Sequence, residues 1–303
     1  TYRRLILEDP NSAENPSYQV DIIDAYSKLG DKQRTLAEVD RLLNDYGPNS
    51  GWQRANAANP NAVNDANAAI EKNLRKLAVD YHNEGRKLEK ARHPTYKETY
   101  DLARQAYNTY LQHFPTNEHA YDVRYAYGEL LYKLKDYAGA FDQYMAVVKM
   151  DPKGKHSKFC AESAIFAAEE QVKLENGGSL PSAGEGKVGE KREPIPLTAW
   201  EQRLIDSCKQ YAQLFPEDKK VVGVIFKSAY LLYNKFQFSQ AAEQFNAVIN
   251  MEPGSKQAEQ AANLILDTFV VEKNYVELKK NAKFYYDMKG LGGASFKKDV
   301  YAI

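Results

Sequence analysis

Leu130 to Pro152 reads LLYKLKDYAGAFDQYMAVVKMDP, and Leu231 to Pro253 reads LLYNKFQFSQAAEQFNAVINMEP, with nine of 23 positions identical at a constant offset of 101. The match runs on without a gap: Phe114-Pro115 meets Phe215-Pro216, Tyr110 meets Tyr211, Lys155 meets Lys256 and Ala161 meets Ala262. An offset near three periods of about 34 residues implies one supersecondary unit stacked on copies of itself, each burying the apolar face its neighbour leaves open.

The unit is helical. Apolar residues recur at helical spacing, as in Leu130, Leu131 and Leu134 and then Phe141, Tyr144, Val147 and Val148, and no stretch sustains an alternation of period two. Helix stops fall at Asp9-Pro10, Tyr46-Gly47-Pro48, Phe114-Pro115, Asp151-Pro152, Phe215-Pro216 and Glu252-Pro253. The pattern predicts an all-α chain of six helix pairs: 17–29 with 32–46, 61–92 with 96–114, 119–134 with 137–149, 155–174 with 197–215, 219–235 with 238–250, and 255–272 with 274–288. The opening Arg4–Pro10 is similar to Val147–Pro152 and reads as the last turn of a preceding unit, so the 303 residues are expected to be part of a longer array.

Charge and composition narrow the function classes. Lys+Arg and Asp+Glu are both 41, which gives none of the basic excess expected of a nucleic-acid binder. No apolar run is long enough for direct membrane insertion, and the first residues carry no signal-peptide core. Tyrosine, at 22 residues against 12 phenylalanines, suits half-buried positions where the ring packs and the hydroxyl stays wet. Cys160 and Cys208 lie inside periodic helical stretches and read as small buried side chains, with a disulfide as the alternative.

The repeats resemble the tetratricopeptide family, whose 34-residue helix-turn-helix has a small residue at position 8, a large apolar one at 11, Ala at 20, an aromatic at 24 and Pro at 32. Gly128, Leu131, Ala140, Tyr144 and Pro152 fill these slots in one unit, and Ala229, Leu232, Ala241, Phe245 and Pro253 in another. Small residues at 8 and 20 suit the place where two helices come closest. Ala78, Tyr81, Ala103, Tyr107 and Pro115 fit with about 13 extra residues lengthening the helices, a departure from the 34-residue period. Thr35 stands where the first unit should have Ala, and the unit around Ala161–Ala167 is followed by a long insertion. The resemblance implies a right-handed superhelical solenoid acting in protein–protein interaction. The run from Tyr107 to Asn117 (Tyr-x2-Tyr-x3-Phe-Pro-x-Asn) is similar to bacterial cell-envelope members: the outer-membrane assembly lipoprotein, the Tol-Pal coordinator and gliding-motility proteins.

Two inserts interrupt the single array expected over residues 1–303. Residues 176–196 are rich in Gly, Pro and charge and read as a flexible loop. Residues 47–61 read as a loop in which Trp52 either caps a hydrophobic face or awaits a partner, the capping reading being favoured.

No catalytic, cofactor or metal site emerges. His82, His93, His113, His119 and His156 are scattered without ligand spacing. Gly184-Glu185-Gly186-Lys187 lacks the first Gly and the final Ser/Thr of a phosphate loop, and Gly290-Leu291-Gly292-Gly293 reads as a helix terminator. Glu169-Glu170 are ordinary residues of a solvated helix face. The chain is therefore expected not to be an enzyme, the alternatives being a helical-superhelix glycan (peptidoglycan) processing enzyme and a spacer or oligomerisation module.

In the resembled family the first helix of each unit lines the concave face through positions 2, 5, 9, 12 and 13. These positions give Tyr125, Glu129, Tyr132 and Lys133, and then Phe226, Tyr230, Tyr233 and Asn234; looser registers add Arg75, His82, Asn83, Phe159 and Phe166. Such an aromatic groove suits a peptide segment or partner helix, although several rings could instead pack between repeats. The carboxylate clamp of chaperone-docking members is absent. The expected partners are other proteins within a multi-protein complex in the periplasm or cell envelope of a Gram-negative bacterium, with the cytoplasm as the alternative.

Overall fold

The computed structural model describes residues 1–182 and 192–303. Among these, every regular element is a helix, α1 to α15 in chain order. The chain divides into two compact units, residues 1–135 and 136–303. The first holds α1 (Tyr2–Glu8), α2 (Asn15–Lys28), α3 (Lys32–Tyr46), α4 (Gly51–Ala55), α5 (Pro60–Lys90), α6 (Tyr96–His113) and α7 (Ala120–Lys133). The second holds α8 (Tyr137–Met150), α9 (Ser157–Glu175), α10 (Ala199–Leu214), α11 (Val221–Asn234), α12 (Phe238–Met251), α13 (Lys256–Val271), α14 (Tyr275–Asp287) and α15 (Ala294–Tyr301).

The twelve helices of the six expected pairs form within two residues of their predicted ends. In the second unit each helix packs on its neighbour in sequence, from α8 on α9 through to α14 on α15, as stacked repeats require. First helices of successive pairs also touch, α2 on α5 and α5 on α7 in the first unit, α11 on α13 in the second. Gly128, Leu131, Ala140, Tyr144, Ala229, Leu232, Ala241 and Phe245 are all buried. The four helices that carry them, α7, α8, α11 and α12, are 14 residues each and begin 101 positions apart. Equal lengths and equivalent buried slots are what one helix-pair unit copied along the chain requires.

The turns inside five of the six pairs share one device. A residue with left-handed backbone ends the first helix, Gly30, Arg92, Lys135, Phe236 or Lys273, four of the five being non-glycine. In three of these turns the next residue caps the second helix with its side chain: Asp31 accepts from Arg34 N (3.1 Å), Asp136 from Gly139 N (2.9 Å) and Asn274 from Glu277 N (3.2 Å). Gln237, after Phe236, makes no such cap.

The segment 47–61 contains α4 and the start of α5 as well as irregular chain. Trp52 is 4% exposed, meets Tyr46 edge to face at 5.6 Å and donates from Nε1 to Ser12 O at 2.8 Å, so it caps the first pair. Helix α5 runs unbroken for 31 residues, about 46 Å, and α6 for 18 against the 14 of α7 and α8, so the extra residues of the second unit are shared between its two helices. Cys160 and Cys208 are buried and form no disulfide, and burial pushes the Cys208 thiol up to about 12. Of the loop expected over 176–196, residues 183–191, including Gly184–Lys187, lie outside the described residues. Among the described residues no helix is long and apolar enough to cross a membrane, and no His, Cys, Asp and Glu side chains group as a metal site.

Candidate protein-binding surfaces

In the first unit a groove of about 530 Å³ opens between α5, α6 and α7. Its lining contains five of the residues expected on the concave face, His82 and Asn83 from α5 and Tyr125, Glu129 and Lys133 from α7. Spacings of four and seven residues put Val79, Asn83, Arg86 and Lys90 on one side of α5, and Tyr125 and Glu129 on one side of α7.

The floor is aromatic. His82 meets Tyr100 and Tyr107 edge to face at 6.1 and 5.9 Å, and Tyr107 stacks on Tyr127 at 5.3 Å. His82 Nδ1 stands 3.2 Å from the Tyr107 hydroxyl. Burial, with the Arg86 charge adding to it, lowers the His82 pKa to about 4, so the imidazole is neutral near pH 7. Tyr100 reaches from α6 across Gly85, and its hydroxyl donates to Glu89 Oε2 at 2.9 Å. The same carboxylate pairs with Lys133 Nζ at 2.9 Å, which joins α5 to α7 along one wall. Lys133 and Tyr100 hold the Glu89 carboxyl below its ordinary range. Arg86 and Lys90 stand exposed at the mouth with no ion-pair partner among the described residues.

Arg75 lines a neighbouring depression on α5, where its guanidinium contacts Glu71 through Nε (2.8 Å) and Nη2 (3.3 Å). Glu71 also accepts from the Tyr110 hydroxyl at 2.8 Å. Tyr132 on α7 is half-buried.

In the second unit Phe226, Tyr230 and Tyr233 form a ladder along α11, with centroids 6.1 and 6.4 Å apart and planes within 11° and 14°. Tyr230 is 44% exposed. Tyr233 is tied down by its hydroxyl, which donates to Asp267 of α13, so this ring also serves inter-repeat packing. Asn234 is buried in the unit and does not share the ladder's open face. Phe159 and Phe166 are exposed on α9: Phe159 meets Tyr144 edge to face, and Phe166 lies under Lys227 Nζ in a depression it shares with Lys220 and Glu162.

Sequence reasoning missed Tyr100, Arg86 and Glu89, because the lengthened α5 takes them out of 34-residue register. The available signal was Gly85, a glycine inside a helical pattern followed by a tyrosine-rich helix start.

The chain matches no protein-family model and no curated protein. Among solved structures, one described as "Functional Characterization of Pseudomonas Aeruginosa pilF" aligns over 95% of this chain and 96% of that chain at 12% identity, with a TM-score of 0.32. So loose a likeness carries no argument, and the fold rests on the chain's own helices and their packing.

Proposed function

We propose that the chain is a non-catalytic scaffold that binds a segment of another protein in the groove between α5, α6 and α7. One observation carries this reading: side chains from the first helices of two successive pairs converge over a buried aromatic floor, with two unpaired cations at the mouth. Aromatic rings give contact area at little cost in rotamer freedom, and Arg86 and Lys90 favour an acidic segment by steering its approach. The setting proposed for this is a cell-envelope complex, supported by the likeness of Tyr107–Asn117 to envelope members of the resembled family.

The test is capture of partners from a Gram-negative envelope extract by the wild-type chain and by an Arg86→Glu/Lys90→Glu variant. Both positions are exposed, so the variant is expected to fold and to lose the captured proteins; retention of every wild-type partner would refute the groove. Incubation with peptidoglycan tests the enzymatic alternative, and release of soluble muropeptides would overturn the non-catalytic reading.

A further inference from the structure

Helix α14 presents an outward face unlike those of the other second helices of its unit. No aromatic ring is exposed on α8, α10 or α12, whose open positions include Asp142 and Lys149, Gln202 and Asp206, and Glu243 and Asn246. On α14, Tyr275, Phe284 and Tyr286 are all exposed, and Val276 is 79% exposed. At about 3.6 residues per turn, these four side chains and those of Lys279, Lys280 and Lys283 cover about half of the helix circumference. Leu278, Ala282 and Tyr285 turn the other half to the core.

The face is also basic. Residues 273–289 hold five lysines against two acids, in a chain whose net charge is zero. Glu277 pairs with Lys280 of its own helix at 3.2 Å, and Lys273, Lys279, Lys283 and Lys289 have no ion-pair partner among the described residues. Helix α15 extends the face at one end. Its Lys297 donates from Nζ to Tyr285 O (2.7 Å), Tyr286 O (2.5 Å) and Met288 O (2.8 Å), which satisfies the last carbonyls of α14. Held in this way, α15 sets the exposed Tyr301 ring 5.5 Å from Tyr286.

An exposed face that mixes rings with unpaired lysines is satisfied only by an occupant that takes both. Packing against an apolar helix would strip water from the Lys279 and Lys283 ammoniums with no acid to meet them. An anionic lipid surface takes both: lysine stems lie along apolar surface while their heads reach phosphate, and aromatic rings settle at the boundary of headgroup and acyl chain. Arginine, the side chain suited to the bidentate phosphate contacts of nucleic-acid binders, is absent from residues 204–303. We infer that the α14 face, with Tyr275, Val276, Lys279, Lys283, Phe284 and Tyr286, is a docking surface for anionic lipid membranes, on which the helix lies in the headgroup plane without crossing. This surface lies wholly in the second unit and does not depend on the groove of the first.

Cosedimentation of the whole chain with vesicles tests the inference, phosphatidylcholine alone being compared with equal parts of phosphatidylcholine and phosphatidylglycerol. The chain is expected to bind the anionic vesicles about tenfold more tightly, Lys279→Glu/Lys283→Glu to lose about tenfold, and Phe284→Ala to lose about threefold. All three positions are exposed, and circular dichroism checks that the variants are folded. Lys209→Glu, a charge reversal at an exposed position of α10, and the groove variant Arg86→Glu/Lys90→Glu are expected to bind like wild type. Absence of binding, equal binding to both kinds of vesicle, wild-type affinity in either α14 variant, or a loss in Lys209→Glu as large as in the double variant would each overturn the inference. Binding to single-stranded DNA in place of anionic vesicles would overturn it in favour of a nucleic-acid surface. The envelope-capture result on the first-unit groove is unaffected by any of these.

Discussion

The backbone of Gly85 on α5 lies against the ring of Tyr100 on α6, so closely that a Cβ at position 85 would stand 2.5 Å from Tyr100 Cδ1. Ala in place of Gly within a helix ordinarily gains about 0.5–1 kcal/mol. Here the ring would have to move, withdrawing its hydroxyl from Glu89, so overpacking dominates and Gly85→Ala is expected to destabilise by about 1–2 kcal/mol. Urea unfolding measures this, and in a Tyr100→Leu background the penalty should disappear.

His82 makes stability depend on pH. Its folded pKa of about 4 lies below the ordinary 6.5, so between these values the unfolded chain binds a proton that the folded chain refuses. Its contribution is complete above pH 6.5 and is lost as pH falls, by up to about 3 kcal/mol at pH 4. Unfolding midpoints at pH 7.5, 6 and 5 should fall in that order, and His82→Gln should flatten the part due to this residue.

Lys273 and Arg92 occupy left-handed turn positions with exposed side chains. Replacing either by glycine removes the steric cost, and after allowing for the greater freedom of the unfolded chain each change is expected to gain about 0.5–1 kcal/mol. Phe236→Gly should go the other way, since it also removes the ring beneath Arg192. Thermal melts of the three variants distinguish these outcomes.

The pair of Lys235 and Glu201 is buried, with side chains 12% and 4% exposed and 2.9 Å apart. Glu201 also closes a capping box with Thr198 at the start of α10. Glu201→Gln leaves a buried ammonium unpaired and is expected to cost about 3 kcal/mol. The double change with Lys235→Met should recover most of the loss in chemical denaturation.

The helix pairs were legible because both of their determinants are local: apolar spacing within each helix and a breaker after each pair. Helices α4 and α15, of five and eight residues, were not predicted, being too short for periodicity to register. Positional arithmetic placed Tyr125, Glu129 and Lys133 on the groove because α7 keeps the 14-residue length of the repeat. It put Asn234 on a face from which packing withdraws it, and it could not reach Tyr100, whose place depends on how far α5 extends and on the lack of a side chain at Gly85. The grip of the α11–α12 turn on Ile195, whose amide donates to Lys235 O and whose carbonyl accepts from Gln237 Nε2, was also out of reach, since it joins residues some forty positions apart that no repeat relates.

In the second unit, where helices lean on their neighbours in sequence, a pull along the chain would be borne by one interface at a time. The grip of the α11–α12 turn on Ile195 bypasses that order, because it anchors the chain ahead of α10 directly to the following pair. Tension arriving from the N-terminal side through residues 192–196 would therefore load the α11–α12 turn before it peeled α10 away.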